Sequence, residues 1–495
     1  MFVETPAHTA IFAAIEKPTQ NVIIEAVAGA GKTSTIVEAL KRIPTTEKVV
    51  FLAFNASIAK ELQRRVPPHV EARTLNSLGN AAWNAHLAAT GCQRSRVDAD
   101  KLSSIFFRLQ DEGEISSRDK TLMSATVKLC RIMKSSGIRQ PTASHITDAI
   151  DHFDVDMEDG PDIENRVIDL VQTIMGKSFA TKLVIDFDDQ LFMPVVYDVE
   201  CPKYDRIFVD ESQDLSPLQH ELLRRSLRKG GQLVAVGDPK QAIYSFRGAD
   251  SKSMKTLANT FKCMSLPLHV SYRCPQAIVR EAQRIVSHIQ AHPEAPEGLV
   301  DRTVLAVDKA DFRAGDLIVS RTTAPMVSLA FSLIRDGKAA TVLGRDIGAG
   351  LTTLAKKLKA TSVGDLEARV EFWRAAEIEK LTCSQRVVSE AKVQMVHDKA
   401  DTLLAICEGA RTINDVLMRI QMMFSSDRNE EKITLSTVHK AKGLEADRVW
   451  ILNPELMPHP MAKLDWQREQ EFNLLYVAIT RAKSELRFAS NTKKR

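Results

Sequence analysis

The chain has no run of apolar residues near the ~18 needed to cross a bilayer, which excludes an ordinary membrane-spanning helix. Its first residues, MFVETPAHTAIF, show no charged segment followed by an apolar core, so they do not read as a secretory signal. Cysteine is sparse and scattered. The seven thiols, Cys92, Cys130, Cys201, Cys263, Cys274, Cys383 and Cys407, form no CxxC pair, which leaves zinc ribbons and iron–sulfur clusters without a ligand set. An odd, unpaired count fits reduced thiols. A cytoplasmic protein is expected. Excess charge is lacking too: the formal net charge is only +4. A nucleic-acid binder of this length would have to concentrate Lys and Arg in a groove, because the bulk charge attracts a polyanion weakly. Pro/Ser-rich linkers, low-complexity segments and internal repeats are also missing.

What is present is a globular composition, 44% hydrophobic and 26% charged over 495 residues, long enough for three or four domains. NVIIEAV (21–27) and KVVFLAF (48–54) are apolar runs suited to buried parallel strands, with the helical TSTIVEALKRI between them. LSSIFFRLQ and TLMSATVKLCRIMKSS carry helical spacing, and the acidic DAIDHFDVDMEDGPDIEN reads as a solvated loop. Strands return with YDRIFVDES and GQLVAVGDP, whose acidic C-terminal ends suit a ligand site. DLIVSR, KITLSTV and RVWILN are strand candidates in a second α/β half. LTTLAKKLKA and DVLMRIQMMF read as helices, the latter with its methionines in a helix core. The expected layout is 1–80 and 181–265 for the first α/β domain, interrupted by a helical insertion at 81–180. The second comprises 266–346 and 429–495, interrupted by a helical insertion at 347–428.

A phosphate site is legible between the first strand and its helix. In AVAGAGKTS, Gly29 and Gly31 allow the backbone N–H groups of Ala28, Gly29, Ala30, Gly31 and Ser34 to curl around phosphate oxygens. The helix N-terminus adds partial positive charge. Lys32 would reach the β- and γ-phosphates, and the Thr33 hydroxyl would bind Mg²⁺. Asp210, at the end of YDRIFV, is the expected second Mg²⁺ anchor, and Glu211 the general base on the attacking water. An acidic helix start before PLQHELLRR is the alternative for this pair; the P-loop upstream argues against it.

With further segments, these motifs resemble superfamily 1 DNA helicases of the UvrD/Rep type. The resemblance runs from about residue 5 to residue 490, outside the two insertions. It implies two RecA-like P-loop domains, each a parallel sheet flanked by helices. VGDPKQAIYSFRGA resembles motif III. Gln241 would contact the γ-phosphate or its water, Phe246 would stack on a base, and Tyr244 and Arg247 would sit beside it on nucleic acid. In SYR, Tyr272 would stack on adenine and Arg273 would act as an arginine finger. In STVHKAKGLE, Thr437 and His439 would touch the nucleic-acid backbone and Glu445 the ribose. In EFNLLYVAITRAK, Arg481 would be the second finger. Phe54 and Asn55 of AFNASIAK would meet the strand, as would Asn76 of TLNS, which stands where His is usual. FNASIAK and EFNLLYVAITRAK resemble the F-box DNA helicase branch more than UvrD itself, although the motifs begin almost at Met1 and no preceding F-box is expected. TPAHTAIF places His8 where the family has an adenine-reading Gln, so adenine selectivity is open.

The resemblance implies an ATP- and Mg²⁺-dependent motor travelling 3′→5′ on single-stranded DNA and separating duplex at junctions. Three alternatives remain. A translocase that displaces proteins without unwinding carries the same motifs and would lack a strand-separating pin, expected near residues 457–466. An RNA helicase would read the 2′-OH. A non-catalytic nucleotide-gated binder would not respond to single-stranded DNA. The chain stops soon after the last motif, so no nuclease domain is expected. The short second insertion leads us to expect reliance on an accessory protein or a second copy.

Overall fold

Continuous apolar runs become the central strands of two parallel sheets. The computed structural model describes residues 4–17, 20–153, 155, 161–243, 253–382, 390–425, 431–460, 462 and 465–491. They fall into two compact units, Met1–His269 and Val270–Arg495.

The first unit contains β1 (Val22–Ala26), β2 (Val49–Ala53), β3 (Val70–Thr74), β4 (Arg96–Val97), β5 (Val184–Ile185), β6 (Tyr204–Val209), β7 (Leu227–Gly237) and β8 (Met264–Leu268). Six of these form one sheet in the order β3-β2-β6-β7-β1-β8. Every pairing is parallel, with Val22 opposite Val234 on one side and Met264 on the other. The short β4 and β5 pair separately. All five residues of β2 are buried, as expected where helices cover both faces of a parallel sheet. The helices are α1 (Pro6–Glu16), α2 (Lys32–Leu40), α3 (Ala56–Arg65), α4 (Leu75–Ala89), α5 (Lys101–Asp111), α6 (Met123–Ser135), α7 (Ala143–Phe153), α8 (Pro161–Ala180), α9 (Asp189–Val196), α10 (Pro217–Ser226) and α11 (Ser253–Phe261). Helices α4 to α9 do not build a separate core. Trp83, Phe106, Leu129 and Val171 belong to the same buried cluster as Val50, Leu52, Ile207 and Leu233 of the sheet. The acidic stretch read as a loop is helical on both flanks, in α7 and α8; its centre lies outside the described residues.

The second unit contains β9 (Val270–Ser271), β10 (Gln290–Ala291), β11 (Leu299–Ala306), β12 (Leu317–Ser320), β13 (Ala340–Leu343), β14 (Phe424–Ser425), β15 (Ile433–Thr437), β16 (Ala446–Leu452) and β17 (Ala482–Ser490). Seven of them form a parallel sheet in the order β11-β17-β16-β12-β15-β13-β14. Its helices are α12 (Gln276–Ala282), α13 (Ala324–Arg335), α14 (Arg345–Lys357), α15 (Val363–Thr382), α16 (Glu390–Cys407), α17 (Ile413–Met423), α18 (Val438–Ala441) and α19 (Asp465–Ile479). Asp398 of α16 ties that helix to the start of α13. Its carboxylate accepts from the Thr323 and Ala324 N–H groups at 2.9 and 2.7 Å, closing the start of α13. The methionines of α17 divide between core and solvent. Met423 is buried, whereas Met418 and Met422 are 53% and 82% exposed. The expected all-core reading therefore holds for Met423 alone of these three, because Val416 and Ile420 occupy the inward face.

Candidate nucleotide and nucleic-acid site

β1 ends at Ala26 and the chain turns into α2 through Gly29 and Gly31, whose φ angles are 72° and 74°. Only glycine adopts this left-handed geometry without strain. No side chain caps α2, so its first N–H groups remain available to an anion. Lys32 opens the helix and its Nζ lies 3.5 Å from Glu211 Oε1. Burial works against its ammonium charge, but Glu211, Asp238 and Asp210 outweigh that and hold its pKa above the ordinary lysine value.

Across the sheet, β6 delivers Asp210 and Glu211. Thr33 Oγ1 donates to Asp210 Oδ2 at 2.8 Å. Two hard oxygens at that spacing fit adjacent positions around an octahedral Mg²⁺, whose bonds of about 2.1 Å set neighbouring ligands about 3 Å apart. Among the described residues, no group of three or more His, Cys, Asp or Glu could hold a metal by itself. Phosphate oxygens and water would complete the shell. Burial, then the neighbouring Glu211 charge, push the Asp210 carboxyl up from its usual range, while Lys32 and Thr33 oppose that rise. Glu211 occupies the left-handed region at φ 51°, a conformation that costs a non-glycine residue roughly 1–3 kcal/mol and is typical of functional positions.

Gln213 and Asp238 complete this corner, and sequence reasoning assigned neither a role. Gln213 Nε2 donates to Glu211 Oε2, and Gln213 Oε1 accepts from the Asp238 N–H. Asp238 Oδ2 accepts from Gln241 Nε2 at 2.8 Å. Tyr244, Phe246 and Arg247 lie outside the described residues.

His8 lies in the first turn of α1, 2% exposed. Its Nδ1 accepts the Thr5 N–H at 3.2 Å, which closes the helix start. Burial lowers its pKa. Phe54, just past β2, is 54% exposed. Asn55 is the N-cap of α3, accepting from the Ile58 N–H at 2.9 Å. Asn76, in the first turn of α4, donates to the Phe187 carbonyl at 2.7 Å. β2 and β3 are paired neighbours, so Phe54 and Asn76 follow adjacent strand ends. Phe187 was missed in the sequence. It is 58% exposed, and its only signal was an aromatic ring set among acids in IDFDDQ.

In the second unit, Arg273 follows β9, and its Nε lies 2.6 Å from Glu445 Oε2. Its Nη1 donates to the Thr480 carbonyl at 3.4 Å. Arg481 is 1% exposed, and its guanidinium donates to the carbonyls of Val477 and Leu444 at 2.9 and 3.1 Å. Arg273, Glu445 and Arg481 thus meet around one turn, with Arg481 directed at the chain's own carbonyls. Tyr272 is 42% exposed and tilted against His292, with ring centres 5.0 Å apart. Thr437 ends β15, and His439 lies in α18. Arg321 and Glu471, also unassigned in the sequence, form an ion pair at 2.8 Å.

A glycine-bent turn between strand and helix, a half-buried Lys beside a carboxylate, and a Thr–Asp pair across the sheet together define a P-loop nucleotide-binding protein. The UvrD/REP helicase N-terminal domain matches residues 7–262, and the UvrD-like helicase C-terminal domain matches residues 333–493. The chain belongs to the UvrD/REP helicase family. It is 25% identical to F-box DNA helicase protein 1 of Schizosaccharomyces pombe, over 95% of this chain and 55% of that protein. It is 25% identical to F-box DNA helicase 1 of Gallus gallus, over 94% of this chain and 47% of that protein. ATP-dependent DNA helicase PcrA of Staphylococcus epidermidis is 21% identical, over 54% of this chain and 38% of its own length. The chain spans about half the length of the two F-box relatives. No helix among the described residues is long and apolar enough to cross a membrane.

Proposed function

We propose that the chain is an ATP-dependent DNA helicase that travels 3′→5′ on single-stranded DNA and separates duplex at junctions. The observation that carries this reading is the Lys32, Thr33, Asp210 and Glu211 constellation, joined through Gln213 and Asp238 to Gln241. That line runs from the expected hydrolytic base toward the segment expected to grip nucleic acid. Lys32 and the N–H groups of α2 would hold the phosphates, and Glu211 would take a proton from the attacking water. Thr33 and Asp210 would hold Mg²⁺, which neutralises charge on the β- and γ-phosphate oxygens.

Arg273 and Arg481 would supply the arginine fingers from the second unit, with Tyr272 against the base and Glu445 at the ribose. Engagement of these groups would close the two units on ATP, and hydrolysis would reopen them. Phe54, Asn76, Phe187, Thr437 and His439 would line the path of the strand, together with Tyr244, Phe246 and Arg247. Exposed aromatic rings suit stacking on bases of any sequence. The relatives named as DNA helicases support DNA as the substrate.

The E211Q variant tests the chemistry. It is expected to lose hydrolysis by about a hundredfold or more, while ATP affinity stays within about threefold. Wild-type turnover in this variant contradicts the assignment of the base.

A further inference from the structure

Gln213 sits in the short turn Ser212–Asp214, two residues after Glu211, and is 2% exposed. Both ends of its amide are committed. Nε2 donates to Glu211 Oε2, and Oε1 accepts from the Asp238 N–H at 3.1 Å. Asp238 in turn organises the segment after β7. Its carboxylate accepts from Gln241 Nε2 at 2.8 Å and from the Lys240 N–H at 3.0 Å. The packing around this amide leaves no slack. A methyl group at Gly237 would lie 2.4 Å from Gln213 Oε1 and 2.8 Å from Ser212 Oγ, so β7 carries a glycine where the amide passes. Glu211 itself stands at φ 51°, a position that its surroundings must hold in place.

We propose that Gln213 is a positioning residue that ties the Glu211 carboxylate to the segment following β7, so that nucleic acid gripped there sets the hydrolytic base. An amide suits the task because it donates to a carboxylate with one end and accepts from a backbone N–H with the other. A carboxylate at this position would repel Glu211, and a methyl group would release it. The inference rests on the reading of Glu211 as base and of residues 244–247 as a nucleic-acid contact.

The test is steady-state ATP hydrolysis by the full chain, with and without single-stranded DNA, for the unaltered protein and for Q213A, Q213E and G237A. Q213A is expected to lower the DNA-stimulated kcat about tenfold or more. Its KM for ATP should stay within about threefold, and the ratio of stimulated to unstimulated rate should fall toward one. Q213E is expected to do no better, and G237A to shift the ratio the same way. Partial misfolding scales both rates by the active fraction and leaves their ratio intact, so the ratio separates positioning from simple structural damage. An unchanged ratio in Q213A overturns the proposal. If single-stranded DNA fails to raise hydrolysis by the unaltered chain, the helicase reading beneath the proposal falls instead.

Discussion

At position 8 the ring nitrogen facing Thr5 is an acceptor, because the Thr5 N–H donates to it. Burial lowers the His8 pKa, so the ring is neutral at neutral pH and carries its proton on Nε2. A neutral imidazole with Nδ1 so occupied has one further donor, where a glutamine would offer a donor and an acceptor together. The N7 acceptor is common to adenine and guanine, whereas the N6 amino donor belongs to adenine alone. If His8 takes the base-reading position that the resemblance implies, GTP should be hydrolysed within about tenfold of ATP in kcat/KM, and H8Q should raise the preference for ATP by about tenfold. Competition kinetics with the two triphosphates measure this. A strict ATP preference that H8Q leaves unchanged contradicts it. Arg481 makes a different point at the same scale. An arginine expected to touch phosphate is held by Val477 and Leu444 carbonyls, so in the proposed cycle nucleotide must compete with the chain's own acceptors.

Among the described elements, the segment between β5 and α9 is tied by buried ion pairs. Lys134 Nζ lies 2.6 Å from Asp186 and 2.7 Å from Asp189, and Lys101 Nζ lies 2.6 Å from Asp189. Both lysine side chains are 1% exposed. The two carboxylates also accept each other's backbone N–H groups, and Phe187 projects from between them. Removing one partner of a buried ion pair costs about 3–5 kcal/mol, since the remaining charge keeps its desolvation penalty. K134M should therefore lower the stability of the first unit by about that amount, and it should weaken single-stranded DNA binding by freeing the Phe187 loop. A denaturation midpoint and a DNA affinity both equal to wild type contradict this. Elements of this kind were hidden in the sequence because their partners are remote: Lys101 and Asp189 are 88 residues apart, and Asn76 and Phe187 are 111. Lys32, Thr33, Asp210 and Glu211 were legible because each sits in a short motif at a strand end. The strands behave alike. β1, β2, β6, β7, β12, β15 and β16 are interior to their sheets and read as apolar runs. β3 and β11 lie at sheet edges, where mixed sequences such as VEART and LVDRTVLA suffice, and they escaped notice. β17 was missed for a related reason, since AKSELRFAS alternates charged and apolar positions.

For the whole molecule, the two parallel sheets are what the helicase resemblance implied, and the family matches fall on both. The division of labour that follows is chemical. The first unit carries the groups suited to phosphate, metal and base, and the second carries the paired arginines with Glu445. In the proposed cycle both sets would act on the transferring phosphoryl group, which needs positive charge opposite the base. Direction of travel is the property of the proposed cycle in which both units, the strand path and hydrolysis would act together. The measurement that tests it is unwinding of 3′-tailed, 5′-tailed and blunt DNA duplexes by the full chain with ATP and Mg²⁺, with E211Q as the hydrolysis-deficient control. The account predicts strand separation from the 3′ tail alone, lost in E211Q. Unwinding only from the 5′ tail, or displacement of bound protein without strand separation, contradicts it.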